Sequence, residues 1–408
     1  MVEGIRLTTF FSILLILLPL LVPLERWFLR SRAGSHLLTG VPPILLALLA
    51  VRFGQLQPVS IAHYGLLGAA LLLLLLMARA TCRGEEGGEG PAFVMVAGLF
   101  LCLQTGDPLL WLCGVQIVGL GVIVQSVNSA GYEGALRSAA VLIIGLILVI
   151  PGWALLSWFH NQQFGYGHPD LMALAQISLT LDEQVGIFGS LLLALLALCG
   201  IRPFHLWHAV PKRGPLSLLM YPFLYLFAGD FLWRILGPGL PAALTWWAPA
   251  GIIGGLVLMF FALLSMIADQ EGSACLPALY QFLIGSLLVV FFMIDEPVAG
   301  TLYVFSTGGL LGMMAILTGI GRSGVLRVVV GTALCAAPGF YGFELTRHQG
   351  ADPLRVAWLV LNGLMLLLLL SRDQPVGNRT GADDRRPGML LWFGLLSFVV
   401  APWLVGVV

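Results

Sequence analysis

Asp230 and Arg234 are two ionisable residues inside an otherwise apolar run, residues 216–237. Their spacing of four residues puts both side chains on one face of a helix, where they can form an ion pair. An ionisable side chain within a membrane-spanning helix is a default candidate for proton or ion movement. Two interpretations remain open: a neutral ion pair that holds this helix to a neighbour, or a proton site at Asp230 that Arg234 influences.

Two further titratable residues lie near prolines that interrupt apolar runs. His205 follows Pro203, and Glu344 follows Pro338. A proline removes a backbone hydrogen bond and clashes with the preceding turn, so both helices are expected to break. Paired breaks in two halves favour an internally repeated transporter fold with half-helix ends near the ion path. Alternatively, the two prolines are ordinary residues of membrane helices, and His205 and Glu344 are a structural histidine and a solvated carboxylate.

The composition places these residues in a membrane protein. Only 10% of the 408 residues are charged, against about 25% for a soluble domain. The hydrophobic share is 59%, more than a soluble fold of this size can bury. The formal net charge is +0, so no global field attracts an acidic partner. Composition therefore excludes a soluble enzyme and a nucleic-acid-binding protein.

Apolar runs long enough to cross a bilayer recur along the whole chain. A spanning helix needs about 20 mostly apolar residues. No period-2 alternation indicates a barrel, so helices are expected. We count fourteen such segments, at residues 8–24, 37–53, 64–80, 91–106, 108–127, 138–159, 185–207, 216–237, 244–267, 276–294, 299–321, 327–346, 354–370 and 388–405.

The distribution of basic residues predicts the orientation. Most of the 20 Lys+Arg lie in the loops that follow odd-numbered spans, which places those loops in the cytoplasm. We therefore expect a multi-pass protein of the bacterial inner (cytoplasmic) membrane, with the N-terminus and the C-terminus both outside the cytoplasm.

No cofactor, metal site or independent catalysis is expected from the sequence. The six cysteines include no CxxC pair, and no glycine-rich nucleotide motif or flavin, iron–sulfur or quinone-site motif is visible. The chain is therefore expected to take part in chemistry only as a component of a larger translocase.

One stretch carries a family resemblance. The segments PFHLW (203–207), GPLS (214–217) and RIL (234–236) resemble the antiporter-like membrane subunits of respiratory complex I, especially the subunit N type. These subunits are related to Mrp cation antiporters and membrane-bound hydrogenase subunits. The segments EGALR (133–137) and GFYG (339–342) are similar to further motifs of the same family, and the present chain is a divergent member by this resemblance.

The resemblance implies an all-α integral membrane protein of about 14 transmembrane helices. Its two inverted five-helix repeats would contain broken seventh and twelfth helices. The implied divisions are a three-helix segment at 1–90, a first repeat at 91–237, a second repeat at 244–370 and a terminal helix at 388–408. Other membrane subunits of a complex I-like or hydrogenase-like assembly, and the lipid bilayer, are the implied partners; no nucleic acid is expected.

The departures from the family pattern concern its charged residues. The family's half-channels use a Glu in span five and Lys residues in spans seven, eight and twelve. The corresponding positions here hold Gln116, Leu198, Tyr225 and Phe343, and the only lysine, Lys212, lies in a loop. A buried lysine can gain and lose its proton, whereas Arg stays protonated and Gln does not titrate. The usual pumping mechanism is therefore expected to be disabled.

Three hypotheses follow. The first is a degenerate antiporter-like subunit of a complex I-related assembly. The second is an active proton or cation translocator that uses Asp230, Arg234, His205 and Glu344 in place of the lost lysines. The third is a membrane enzyme or unrelated carrier with a chance PFHLW match. The candidate proton path comprises Asp230, Arg234, His205, Glu344, Tyr225 and Gln116.

Overall fold

The computed structural model describes residues 89–105, 107–165, 176–201, 218–268, 275–293, 297–319 and 353–371. Every regular element within these ranges is helical. The elements are α1 (Glu89–Gln104), α2 (Pro108–Val127), α3 (Gly131–Phe164), α4 (Leu181–Leu198), α5 (Met220–Asp230), the π-helix π1 (Phe231–Leu236), the short turn α6 (Gly237–Gly239), α7 (Pro241–Ala268), α8 (Cys275–Met293), α9 (Pro297–Gly319) and α10 (Pro353–Ser371).

Six helices in the described part of the chain are long and apolar enough to cross a membrane. They are α2, α3, α4, α7, α8 and the Gly300–Thr318 portion of α9. Each predicted span that overlaps the described ranges corresponds to a helix. The predicted spans 8–24, 37–53, 64–80, 327–346 and 388–405 lie outside the described residues.

The start of α2 is fixed by local capping chemistry. The Asp107 carboxylate accepts a hydrogen bond of 2.7 Å from the Leu109 backbone N–H, and Pro108 occupies the first helical position.

The helices α2 and α3 form one helical run that is interrupted at Gly131, where φ is 71°. A residue with a Cβ is sterically strained at such a φ. The approximate limits predicted for span six, 138–159, lie within α3, which begins at Gly131.

The end of α4 departs from the predicted run of helix through residue 207. The helix ends at Leu198, and Gly200 follows with φ 61°. The Ile201 N–H donates to the Leu196 carbonyl and the Gly200 N–H to the Ala197 carbonyl, the two bonds of a Schellman motif. The chain therefore leaves the helix before it reaches Pro203. Residues 202–217 lie outside the described part.

The chain divides into two compact units. Unit 1 takes its described residues from Glu85–Lys212 and Asp230–Trp246, and unit 2 takes them from Arg213–Gly229 and Trp247–Val408. The boundaries fall within the helical runs α5–π1 and α7. Each unit contains one of the two polar clusters described below.

In unit 1, small residues let the helices approach closely. A Cβ added to Gly98 of α1 would lie 2.7 Å from the Gly114 carbonyl oxygen of α2. A Cβ on Gly145 of α3 would meet the Leu198 side chain of α4 at 2.6 Å. Close backbone approach through small residues is the usual packing device of membrane helices. The α4–α3 contact also includes a hydrogen bond of 2.7 Å from Ser190 to the Leu148 carbonyl.

In unit 2, α8 and α9 form the interior. The most apolar window of α9 is wholly buried and that of α8 is 89% buried, against 28% for α7. Gly255 of α7 and Gly285 of α8 face each other: a Cβ on either would lie 2.6 Å from the carbonyl oxygen of the other. The second polar cluster is built on this buried pair of helices.

Candidate functional site

Asp230 and Arg234 form a buried ion pair at the junction of α5 and π1, within unit 1. The Arg234 Nη2 atom donates to the Asp230 Oδ2 atom at 2.7 Å. Asp230 is 1% exposed and Arg234 is 8% exposed. The predicted contact between the two residues is thus present. Because both charges are out of water, each depends on the other for compensation.

Arg234 also caps the carboxyl end of α1. The last carbonyls of an α-helix lack partners within the helix. Arg234 Nη1 donates to the carbonyl oxygens of Leu103 (3.3 Å) and Thr105 (3.0 Å), and Nη2 donates to that of Cys102. A guanidinium presents five donors in a rigid fork, which suits this set of acceptors. The arginine therefore ties π1 to the end of α1.

The backbone beneath Arg234 is a π-helix. The Gly237 N–H donates to the Leu232 carbonyl, five residues earlier in the chain. All six residues of π1 are buried. π-helical turns inside membrane or soluble helices are rare and are often found at functional sites.

Aromatic rings surround this part of unit 1. The Trp111 ring centroid lies 5.3 Å from that of Phe231 on π1 and 5.7 Å from that of Trp153 on α3. Trp111 is fully buried, and its carbonyl oxygen accepts a 3.6 Å contact from the Cys102 thiol. The ion pair consequently lies beside an apolar aromatic wall.

A second polar cluster is a chain of buried hydroxyl groups in unit 2. The Tyr225 hydroxyl lies 2.7 Å from the Thr307 hydroxyl, which donates to the Tyr303 backbone carbonyl at 2.6 Å. The Tyr303 hydroxyl lies 2.8 Å from Ser286 Oγ, and Trp358 Nε1 donates to the same Ser286 atom at 2.9 Å. We call these five residues the hydroxyl chain. It joins α5, α8, α9 and α10.

The remaining sequence-predicted positions are placed as follows. Gln116 is exposed on α2, so within the isolated chain its amide faces outward. Leu198 is buried at the end of α4 against Gly145. His205 and Glu344 lie outside the described residues, as does Phe343.

Sequence reasoning missed the backbone acceptors of Arg234 and most of the hydroxyl chain. The i, i+4 spacing of Tyr303 and Thr307 was the available signal, since it places two hydroxyls on one helix face.

A double-mutant cycle on Tyr225 and Thr307 tests whether the hydroxyl chain holds α5 to α9. We expect Tyr225→Phe and Thr307→Val to show a coupling free energy of about 0.6 to 1.7 kcal/mol, the range for hydrogen bonds between membrane helices. The measurement is the thermal unfolding midpoint of the purified protein. Tyr221→Phe combined with Thr307→Val is the matched control, since Tyr221 lies on the same helix outside the hydroxyl chain; a coupling near zero for Tyr225 would contradict the expectation.

Among the described residues, no group of three or more His, Cys, Asp or Glu side chains is placed to hold a metal ion. Both clusters instead consist of ion-pair and hydroxyl groups linked by hydrogen bonds. Such groups can fix helices, and they can also hold or pass protons.

No protein-family model matches the sequence, and no curated protein matches it at the sequence level. Solved structures do match. A chain of respiratory complex I from Thermus thermophilus with bound NADH superposes with a TM-score of 0.74 at 15% identity, covering 96% of each chain. The fold is that of complex I membrane subunits.

Other complexes contain the same antiporter-like fold. A chain of the membrane-bound sulfane sulfur reductase, an archaeal respiratory membrane complex, matches with a TM-score of 0.71 at 12% identity, covering 95% of this chain and 74% of that one. A chain of the Mrp complex from Dietzia sp. DQ12-45-1b matches with a TM-score of 0.58 at 15% identity, covering 85% and 80%. The predicted resemblance to this group is confirmed, and the chain is a multi-pass membrane protein.

Proposed function

We propose that this chain is a membrane-arm subunit of a complex I-like assembly that has lost the proton-pumping residues of its relatives. The proposal rests on the residue type and the hydrogen bonding found at position 225. The sequence resemblance places a lysine at this position, and here a buried tyrosine lies within hydrogen-bond distance of Thr307 instead. The reference pKa values of an amine and a phenol are both about 10, but burial lowers the pKa of an amine towards neutrality and raises that of a phenol away from it. A buried phenol therefore cannot alternate between two protonation states as a buried amine can.

The Asp230–Arg234 pair also supports a structural role. Arg234 uses its donors on Asp230 and on the carbonyls that end α1. A relay group must exchange partners during a cycle, whereas this guanidinium is held by several acceptors at once. Moving it would expose those carbonyls to an apolar environment at a cost of several kcal/mol each.

The finer architecture belongs to the same proposal. About fourteen helices would form two inverted five-helix repeats with broken seventh and twelfth helices. The divisions would be 1–90, 91–237, 244–370 and 388–408. Sibling membrane subunits would be the partners, in a bacterial inner membrane, with both termini outside the cytoplasm.

The alternative is an active translocator that uses Asp230, Arg234, His205 and Glu344. One observation favours it: Asp230 is a carboxylate that is 1% exposed and adjoins a π-helix within the predicted span 216–237. Buried carboxylates at such positions are the usual proton sites of membrane pumps.

Proton translocation by the assembled complex separates the two candidates. The complex is purified through a tag on this chain, and co-purification with quinone-reductase-like or hydrogenase-like subunits is expected. We then expect Asp230→Asn to leave the proton uptake per assembled complex unchanged in vesicles, because the proposal gives Asp230 no proton to carry. Glu133→Gln, at an exposed ion pair with Arg137, is the matched control.

Two results would contradict the proposal. A loss of uptake in Asp230→Asn with normal assembly would favour the active translocator. Purification of the chain without any partner subunit would contradict the proposal that the chain belongs to an assembly. Normalising to the amount of assembled complex keeps a folding defect from being read as a transport defect.

A further inference from the structure

The outward side of α2 is apolar with one exception. Five of its exposed residues recur every three or four positions, so they lie along one side of the helix. These five, which we call the α2 face, are Leu109, Cys113, Gln116, Leu120 and Val124. A recurrence of three and four positions is also the spacing of the seam along which two helices pack.

Gln116 is the exception, because its amide carries two donors and an acceptor. The residue is exposed, and its side chain has no hydrogen-bond partner in the part of the chain that the structure describes. It lies about 12 Å along the helix axis from Pro108, on a helix about 30 Å long, at about 1.5 Å per residue. Because α2 is long and apolar enough to cross a membrane, this depth falls within the hydrocarbon layer.

Lipid chains cannot satisfy the Gln116 amide. An amide in an apolar environment without hydrogen bonds is strongly disfavoured, because it has lost its bonds to water and has gained none. Glutamine does not titrate, so a change of protonation state cannot relieve this cost. A polar side chain on a neighbouring helix can supply the missing bonds, and Asn and Gln side chains are known to link membrane helices in this way.

The outward faces of α3 and α7 differ from the α2 face in this respect. The exposed side chains at residues 138–159 of α3 and 246–267 of α7 are apolar, apart from the indole rings of Trp158 and Trp246. These two rings lie near the ends of the predicted spans, where indoles suit the membrane–water interface. Lipid therefore suits the faces of α3 and α7, whereas it leaves the amide of the α2 face unsatisfied.

We propose that the α2 face is a docking surface for a transmembrane helix of a sibling membrane subunit, which presents a hydrogen-bonding side chain to Gln116. The existence of sibling subunits rests on the proposed function; the inference adds which face one of them meets. Leu109, Leu120 and Val124 would pack against the same helix. A single polar group within an apolar seam also fixes the register in which two helices pack.

The first test measures how tightly Gln116→Leu retains the neighbouring subunit. The complex is purified through a tag on this chain, and each co-purifying membrane subunit is quantified by mass spectrometry as the solubilised complex is diluted. We expect the dissociation constant of one membrane subunit to rise about 3- to 20-fold, as for the loss of one hydrogen bond between membrane helices. The thermal unfolding midpoint of the isolated chain should not fall, because Gln116 has no described hydrogen-bond partner within it.

Gln162→Leu is the matched control for this substitution. Gln162 is exposed near the end of α3, beyond the predicted span 138–159, so its replacement should leave retention unchanged. Gln116→Asn keeps an amide of shorter reach and should weaken retention less than Gln116→Leu does. Unchanged retention in Gln116→Leu, or an equal loss in Gln162→Leu, would overturn the proposal.

A photoreactive side chain at position 120 identifies what covers the α2 face. A benzophenone-bearing amino acid replaces Leu120, one turn from Gln116, and native membranes are illuminated before purification. We expect an adduct with the same membrane subunit whose retention depends on Gln116. An adduct with lipid alone, with a second copy of this chain, or with another segment of the same chain would overturn the proposal.

This proposal and the proposed function can fail separately. Loss of proton uptake in Asp230→Asn, together with subunit retention that depends on Gln116, would contradict the loss of pumping and leave the docking surface. Normal retention in Gln116→Leu, together with proton uptake that Asp230→Asn leaves unchanged, would overturn the docking surface alone.

Discussion

Arg234→Leu is expected to destabilise the protein by about 3 to 5 kcal/mol, the usual cost of removing one partner from a buried ion pair. The substitution leaves the Asp230 carboxylate, 1% exposed, without its counter-ion. It also removes the donors to the Leu103 and Thr105 carbonyls at the end of α1. Thermal unfolding in detergent, followed by loss of the monodisperse species on size exclusion, measures the effect.

Arg137→Leu is the matched control for this prediction. Arg137 pairs with Glu133 at the same i, i+4 spacing, but the two side chains are 55% and 77% exposed. An exposed pair of this kind contributes about 0.3 to 0.5 kcal/mol. Equal losses of stability in Arg137→Leu and Arg234→Leu would show that burial and helix capping add nothing to the Arg234 interaction.

Two further variants distinguish the loss of the counter-ion of Asp230 from the loss of the donors to the carbonyls at the end of α1. The double variant with Asp230→Leu and Arg234→Leu removes both charges and should recover part of the stability, because apolar pairs often replace buried ion pairs without loss. Arg234→Lys keeps the charge but replaces the planar fork by a point charge with three donors. It is expected to be less stable than the wild type and more stable than Arg234→Leu.

Gly255→Ala is expected to cost about 1 to 3 kcal/mol, the usual cost of overpacking. The added Cβ would lie 2.6 Å from the Gly285 carbonyl oxygen, closer than packed carbon and oxygen atoms come. Backbone cannot yield as a flexible side chain can, so α7 and α8 must separate. Gly285→Ala meets the Gly255 carbonyl at the same distance and should have a similar effect. The measurement is the same thermal unfolding midpoint.

Gly254→Ala, at the neighbouring position, is the control for this contact. A Cβ there meets nothing within 4 Å, and the residue is exposed. Alanine favours a helix over glycine by up to about 1 kcal/mol, so this variant should be neutral or stabilised. A loss of stability in Gly254→Ala as large as that in Gly255→Ala would contradict the close crossing of α7 and α8.

The helices could be located from sequence because apolar length is a strong signal in membrane proteins. Their ends could not be located as well. The apolar run of span six was given the approximate limits 138–159, yet α3 begins at Gly131 and includes Glu133 and Arg137. Hydropathy marks the portion of a helix that suits lipid, whereas a helix can extend past that portion with charged residues exposed on its surface. Asp107 and Pro108, by contrast, are capping residues, and they mark the start of α2 correctly.

The Asp230–Arg234 contact could be predicted because it is local, at i, i+4 on one helix. The other partners of Arg234 are backbone carbonyls 129 to 132 residues away in the sequence. The amino-acid types of those residues do not indicate that their carbonyl groups need a hydrogen-bond donor. The Tyr225–Thr307 bond likewise joins residues 82 positions apart. Such long-range contacts depend on which helices become neighbours, and a single sequence without aligned relatives does not encode that directly.

The π-helix Phe231–Leu236 has a consequence for how this chain is aligned with its relatives. A turn closed by i to i+5 bonds holds one residue more than an α-helical turn. Residues before π1 and residues after it therefore match a regular helix in registers that differ by one position. An alignment anchored on Pro215 and Arg234 places Tyr225 at the position of the lysine that the resemblance implies, and a shift of one position places Leu224 or Leu226 there.

None of these three side chains carries an amine, and the chain's only lysine is Lys212. A shift of one position changes which residue is compared, but it does not change the chemistry found there. The lack of a lysine on α5 and π1 therefore does not depend on which of the three positions is compared.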